Sequence, residues 1–129
     1  MAGTLTISTL SDGTNSTSAT NPIKGSAKAW AVVTGSTGAI LGSYNVSSVT
    51  HAAGGNFVFN YTNALPSTNY AVSYGIEVTS VPTNLNNQAV GYAGGRLTTS
   101  FQLITGYNAG GASVGQGDPN VVYFTAFSN

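Results

Sequence analysis

"GSAKAWAVVTGSTGAILGSYNVSSVT", residues 25–50, is the stretch on which the reading of the fold turns. In an extended chain, successive side chains point to opposite faces. Ala27, Ala29, Ala31 and Val33 therefore fall on one side, and Lys28, Trp30 and Val32 on the other. Gly35 to Gly38 reads as a turn, and Ile40 to Val49 as a longer strand bent at Gly42. Lys28 is the only charged residue of the stretch, and Trp30 is the only tryptophan of the chain.

The same pattern recurs outward in both directions. Thr4–Leu10 alternates Leu5 and Ile7 to one face, and Phe57–Tyr61 alternates Phe57, Phe59 and Tyr61. Tyr70–Val78 sets Tyr70, Val72, Tyr74 and Ile76 against Ala71, Ser73 and Gly75. Arg96–Thr105 places Leu97, Thr99, Phe101 and Leu103 together. Val121–Phe127 is apolar on both faces, which predicts burial on both sides, centrally or at a subunit contact. Strong helix formers other than Ala are scarce, while Thr, Val, Tyr, Phe and Ile favour strands. With turn signals between the runs, and one further strand within residues 79–95, about eight strands are expected. The predicted fold is all-β, an antiparallel β-sandwich or jelly-roll-like domain over residues 26–129. Residues 1–25 are expected to be an N-terminal strand followed by a linker or arm, since "SDGTNSTSATNP", residues 11–22, is polar and carries Asp-Gly and Asn-Pro turn signals.

Composition narrows the function. A chain of 129 residues fits one domain. Only 5% of residues are charged, against the usual quarter. Three cations, Lys24, Lys28 and Arg96, cannot neutralise a nucleic-acid backbone or hold an anionic membrane surface. No apolar run reaches the length of a membrane span, and the start, "MAGTLTISTL", lacks the basic and apolar regions of a signal peptide. With no cysteine there is neither disulfide nor thiolate chemistry. Zero net charge favours association.

Candidate chemistry is thin. His51, the only histidine, lies in "THAAGGN" beside a Gly-rich turn and is expected to be a surface turn residue. Catalysis would need a nucleophile and an orienting carboxylate beside it. The carboxylates Asp12, Glu77 and Asp118 are scattered along the chain. Glycosidase work would need two of them about 5 to 10 Å apart. "GQGDPN", residues 115–120, resembles a Ca²⁺ loop only in its Asp and Asn, and reads as an Asp-Pro turn. One histidine and no cysteine do not make a zinc site. No enzyme activity, cofactor or metal is expected. Arg96 is expected either to pair with Glu77 across strands or to end a strand in solvent.

Contact residues are easier to nominate. Tyr, Asn, Gly and Ser in loops make adaptable recognition surfaces. Residues 79–95 and 106–120 have that character, which singles out Tyr92, Tyr107, Asn86, Asn87, Gln88 and Asn108 as ligand or partner contacts. Tyr44, Tyr61, Tyr70, Tyr74 and Tyr123 are expected to serve as core or sheet-face residues. Trp30, Lys28, Val122 and Phe124 are nominated as assembly contacts, Lys28 either blunting an edge or meeting a carboxylate of a neighbouring chain.

Four blocks stand in order: "SAKAW" at 26–30, "SYNVSSVT" at 43–50, "FVFNYT" at 57–62 and "ALPSTNYAV" at 64–72. Together with "TLSDGTNSTSATNPIKG" before them and "VVYFTAFSN" after, they resemble a β-module of bacteriophage tail-fibre and other virion appendage proteins. The chain departs from that pattern in "AWAVVTGSTG" and across residues 79–120. The resemblance implies a non-enzymatic structural protein of the virion, a homo-oligomer with the trimer favoured. Its partners would be other virion proteins and a host surface glycan. A capsid decoration or head-fibre protein and a small carbohydrate-binding module are the alternative expectations.

Overall fold

The computed structural model describes residues 3–52, 54–78, 87–108 and 114–128, with the backbone alone for 21, 87–94, 107–108 and 114–116. Its elements follow in the order β1 (Thr9–Ser11), β2 (Ser16–Ser18), α1 (Thr20–Gly25), β3 (Ala27–Thr34), β4 (Ile40–Tyr44), β5 (Val46–Ala52) and β6 (Asn56–Tyr61). Then come β7 (Ala71–Glu77), β8 (Asn87–Arg96), β9 (Ser100–Asn108), β10 (Val114–Gln116) and β11 (Val121–Phe127). Every pairing is antiparallel. The chain is all-β, as expected. One four-stranded sheet runs β4-β3-β11-β7. A five-stranded sheet runs β10-β9-β6-β5, with β8 on the other side of β9.

The two sheets face each other across one core. From the four-stranded sheet come Ala29, Ala31, Val33, Val122, Phe124 and Ala126. From the five-stranded sheet come Phe57, Phe59, Tyr61, Phe101 and Leu103, all buried. Three alanines opposite three phenylalanines let the large rings of one layer fill the space above the small residues of the other, at the near-crystalline density of protein interiors. The inward sides of β3, β6 and β11 are those that period-two alternation assigns.

The expected single strand from Ile40 to Val49 is two strands in different sheets. β4 pairs with β3 and β5 pairs with β6. The break falls at Asn45, not at Gly42. Asn45 has φ +54°, the left-handed region, which Asn enters more readily than other side-chain-bearing residues. Its amide then braces the corner. Asn45 Nδ2 donates to the carbonyl oxygens of Lys28 (3.0 Å) and Asn63 (3.1 Å), and Asn63 N donates to Asn45 Oδ1 at 2.8 Å. Asn45→Ala would force a Cβ-bearing residue without that amide into the left-handed region, at about 1–2 kcal/mol, and would remove these bonds at about 1 kcal/mol each. The expected loss is roughly 2–4 kcal/mol in denaturant unfolding, with Asn45→Gly losing less because it keeps the backbone conformation.

The first 25 residues also differ from expectation. Among the described residues, strand structure there is confined to β1 and β2, a hairpin that forms a sheet of its own. Its turn is built on Asp12, whose Oδ1 accepts from Thr14 N (2.9 Å) and Asn15 N (2.7 Å). These bonds hold its carboxyl below the usual carboxylate range. The polar segment thus contains a hairpin and then a six-residue helix, α1.

Candidate functional site

The register of the four-stranded sheet assembles its outer face. One row across the strands reads Tyr44, Trp30, Thr125, Ser73. The next reads Gly42, Val32, Tyr123, Gly75. Trp30 and Tyr123 are therefore diagonal neighbours, close enough for aromatic side chains to share one surface. The Trp30 ring passes over Gly42 and the Tyr123 ring over Gly75, each at ordinary contact distance. A Cβ at Gly42 would sit 3.5 Å from Trp30 Cζ3, and one at Gly75 would sit 3.8 Å from Tyr123 Cδ2. The Tyr123 hydroxyl donates to Glu77 Oε2 at 2.7 Å, which fixes that ring and raises the phenol's pKa. Trp30, Tyr44 and Tyr123 remain 39%, 59% and 41% exposed.

The outer face of the five-stranded sheet is different. There Gln102 Nε2 donates to Asn56 Oδ1 at 2.9 Å, and Asn60 Nδ2 donates to Ser48 Oγ (3.1 Å) and Thr50 Oγ1 (3.3 Å). Among the described side chains this face thus carries polar pairs closed within the chain, interleaved with Val58 and Ile104. The other is aromatic and open.

The nominated contact residues separate in this geometry. Trp30 stands on the open face. Val122 and Phe124 do not serve assembly: they are core residues, at 0% and 1% exposure, covered by the chain's own second sheet. β11 is central in its sheet, but its outward side, with Tyr123, is not covered by this chain. Lys28 does not blunt an edge, since β3 lies inside its sheet. Its ammonium donates to the Ile23 carbonyl oxygen and to Ser26 Oγ (2.9 Å), closing the last turn of α1, where a cation also suits the helix dipole. Asn87, Gln88, Tyr92, Tyr107 and Asn108 lie on β8 and β9 and not in loops. Asn87 is paired with Tyr107 and Gln88 with Gly106. The side chains of those five residues, and the whole of Asn86, lie outside the described residues.

Arg96 does not pair with Glu77. Its guanidinium carbon lies 5.6 Å from the centre of the Tyr70 ring, a cation–π distance. Tyr70 is buried and its hydroxyl donates to the carbonyls of Leu97 and Ser100, each at 3.1 Å. Burial pushes the phenols of Tyr70 and Tyr61 up. The two tyrosines meet edge to face at 6.2 Å, inside the domain as expected.

His51 is not a surface turn residue. It lies on β5, its side chain is 11% exposed, and its ring stacks on Phe57 at 4.7 Å. Its Nε2 meets Asp118 Oδ1 at 2.9 Å, and the same oxygen accepts from Gly55 N at 2.7 Å. Thr105 Oγ1 reaches the carbonyl oxygens of Gly117 (2.7 Å) and Gly55 (3.2 Å). This knot ties the 54–55 turn to the 117–120 loop at the end of the sandwich away from the hairpin. Asp118 is held by a histidine and a backbone amide, and among the described residues no group of three or more His, Cys, Asp or Glu is placed to hold a metal ion. Glu77 and Asp118 face different partners, Tyr123 and His51.

Tyr44, Tyr123, Gly42 and Gly75 are the members of the open face that motif reasoning passes over. Their signal is an isolated glycine inside a strand pattern, which marks a close approach. Comparison with protein-family models, curated proteins and solved structures finds no match.

Proposed function

We propose that the chain is a structural, non-enzymatic protein of a bacteriophage particle, a component of tail-fibre or other appendage type that assembles as a homo-oligomer, the trimer favoured. The carrying observation is the contrast between the two outer faces. On this face Trp30, Val32, Tyr44 and Tyr123 offer aromatic and aliphatic area to bury, and its charges are already engaged, Lys28 by the Ile23 carbonyl oxygen and Ser26 Oγ and Glu77 by the Tyr123 hydroxyl. Fully burying one large apolar side chain is worth about 1.5–3 kcal/mol, and half-exposed ones retain a corresponding share to gain. Subunit contacts favour such aromatic centres. The ordered sequence blocks from "SAKAW" to "ALPSTNYAV" support the virion setting. In that setting residues 79–95 and 106–120 face the host or another virion protein.

Light scattering of the purified chain tests the reading. The expected result is a closed oligomer, and Trp30→Lys is expected to give a folded monomer, because a cation on the face would have to be buried unpaired. A wild-type chain that stays monomeric overturns the assembly. The exposed aromatic rings favour one second reading, a carbohydrate-binding module stacking sugar rings on Trp30 and Tyr123. Glycan binding by a monomer that is lost in Trp30→Ala would establish it instead. A capsid decoration protein, the remaining alternative, would show lost particle stability, not lost adsorption, when its Tyr92 and Tyr107 are replaced by Ala.

A further inference from the structure

The hairpin β1–β2 poses a physical problem. It has three residues a side and pairs with neither large sheet. A lone two-stranded hairpin is marginal in water and needs a third strand or a packed layer. The large apolar side chain of the hairpin, Leu10, has none, nor have those on either side of it along the arm. Leu5 is 82% exposed, and Ile7, Leu10 and Ile23 are exposed as well. Yet the segment has internal order. Ala19 is buried and its N–H donates to the Ser8 carbonyl at 2.9 Å. Lys28 fastens α1 to the start of β3. So the arm is closed on itself and joined to the start of β3, with its apolar residues uncovered.

The same chain has an uncovered surface of matching chemistry. The outer face of Trp30, Val32 and Tyr123 is aromatic and aliphatic, and the arm from Gly3 to Leu10 carries no charge. The arm does not fold onto its own face, because Trp30 and Tyr44 remain exposed with the arm present. Two exposed apolar surfaces on one chain, each unsatisfied by that chain, satisfy each other between chains.

We propose that the N-terminal arm of one copy, through Leu5, Ile7 and Leu10, is what covers the outer face of the four-stranded sheet of the next copy. This rests on the assembly reading above and names the segment that occupies the face. Each copy gives one arm and receives one. The contact is heterologous, so it closes into a ring when the rotation allows. β3, which carries Trp30, follows directly on the arm, so giving and receiving sites are adjacent in every subunit.

The chain offers clean probes. Its single tryptophan is on the proposed contact, and it has no cysteine. Native mass and acrylamide quenching of Trp30 are measured on the full chain and on the L5S/I7S variant, whose substitutions lie on exposed positions outside the core. The expected result is an oligomer with shielded Trp30 for the wild type. The variant should have the mass of a single chain, with red-shifted, readily quenched emission and the same far-ultraviolet circular dichroism. If the variant keeps the oligomeric mass and the shielding, the arm proposal is overturned while the assembly reading stands. If the wild type is itself monomeric with exposed Trp30, both fall. The I7C/V32C variant gives a second readout independent of stability. Interchain disulfides ending at the native oligomer size on a non-reducing gel support the contact. Monomer bands alone from an oligomeric sample overturn it.

Discussion

Phe124→Ala is expected to remove about 3–5 kcal/mol of folding free energy, enough to leave much of a typical small domain unfolded near body temperature. Phe124 is buried at the centre of the sandwich, where its ring stacks on Phe59 at 4.6 Å, on Phe101 at 5.2 Å and on Tyr61 at 6.3 Å. Truncation loses those ring contacts and leaves a cavity that the surrounding sheet backbones cannot collapse to fill. On the β3 side of its sheet the neighbours are Ala29 and Ala31, too small to fill the space. Urea titration followed by circular dichroism checks this. The midpoint should fall steeply with little change in slope. Phe124→Leu, which keeps most of the volume, should recover more than half of the loss. An unchanged midpoint for Phe124→Ala would contradict the central placement of this ring.

Gly55→Ala is the second large effect, and it arises from backbone and not from core volume. Gly55 has φ +74°, and a Cβ there would lie 2.4 Å from both the Gly117 carbonyl oxygen and Thr105 Oγ1. The left-handed conformation costs an alanine about 1–2 kcal/mol, and displacing packed neighbours about 1–3 kcal/mol more. The neighbours are fixed at both ends. Thr105 N donates to the Gly55 carbonyl at 2.8 Å, and Gly55 N donates to Asp118 Oδ1 at 2.7 Å. Relief of the clash therefore breaks the knot that includes His51. The expected loss is roughly 2–5 kcal/mol on those two terms. Hydrogen exchange should accelerate at Gly55 and Thr105 before it does so in β3 or β11. Normal protection at both amides would show that the turn can shift without disturbing the knot.

The parts of the fold that were legible in the sequence are those governed by local alternation. Ala29–Ala31–Val33, Phe57–Phe59–Tyr61 and Val122–Phe124–Ala126 each keep a strict period of two, and each faces the core. What was not legible depends on non-local contact or on a single dihedral. Nothing in "SYNVS" distinguishes a continuing strand from one that changes sheets, because the pattern of Ser43 to Ser47 alternates equally well through either. The decisive fact is the sign of φ at Asn45. The pairing of His51 with Asp118 joins residues 67 apart in sequence, and one chain without a known contact map holds no trace of it. Lys28 misled for a related reason. Its place on a strand suggested an edge, but its long side chain folds back to the helix that precedes it. The open face was half legible: Trp30 stood out by rarity, while Tyr44 and Tyr123 became its neighbours only once β4 and β11 were known to flank β3.

The pairing of Ala27 with Phe127 has a mechanical meaning. β3 begins and β11 ends at the same end of the sandwich, side by side. Inter-strand hydrogen bonds of an antiparallel pair lie perpendicular to the strands. A pull applied between the arm and the C-terminal end of β11 would therefore open that ladder like a zipper, one bond at a time, instead of loading all of them in shear. Strands peeled in this way yield at low force. A domain wired so is suited to a tip, or to a place where its neighbours clamp it from the side, and poorly suited to carry tension as one link in a string.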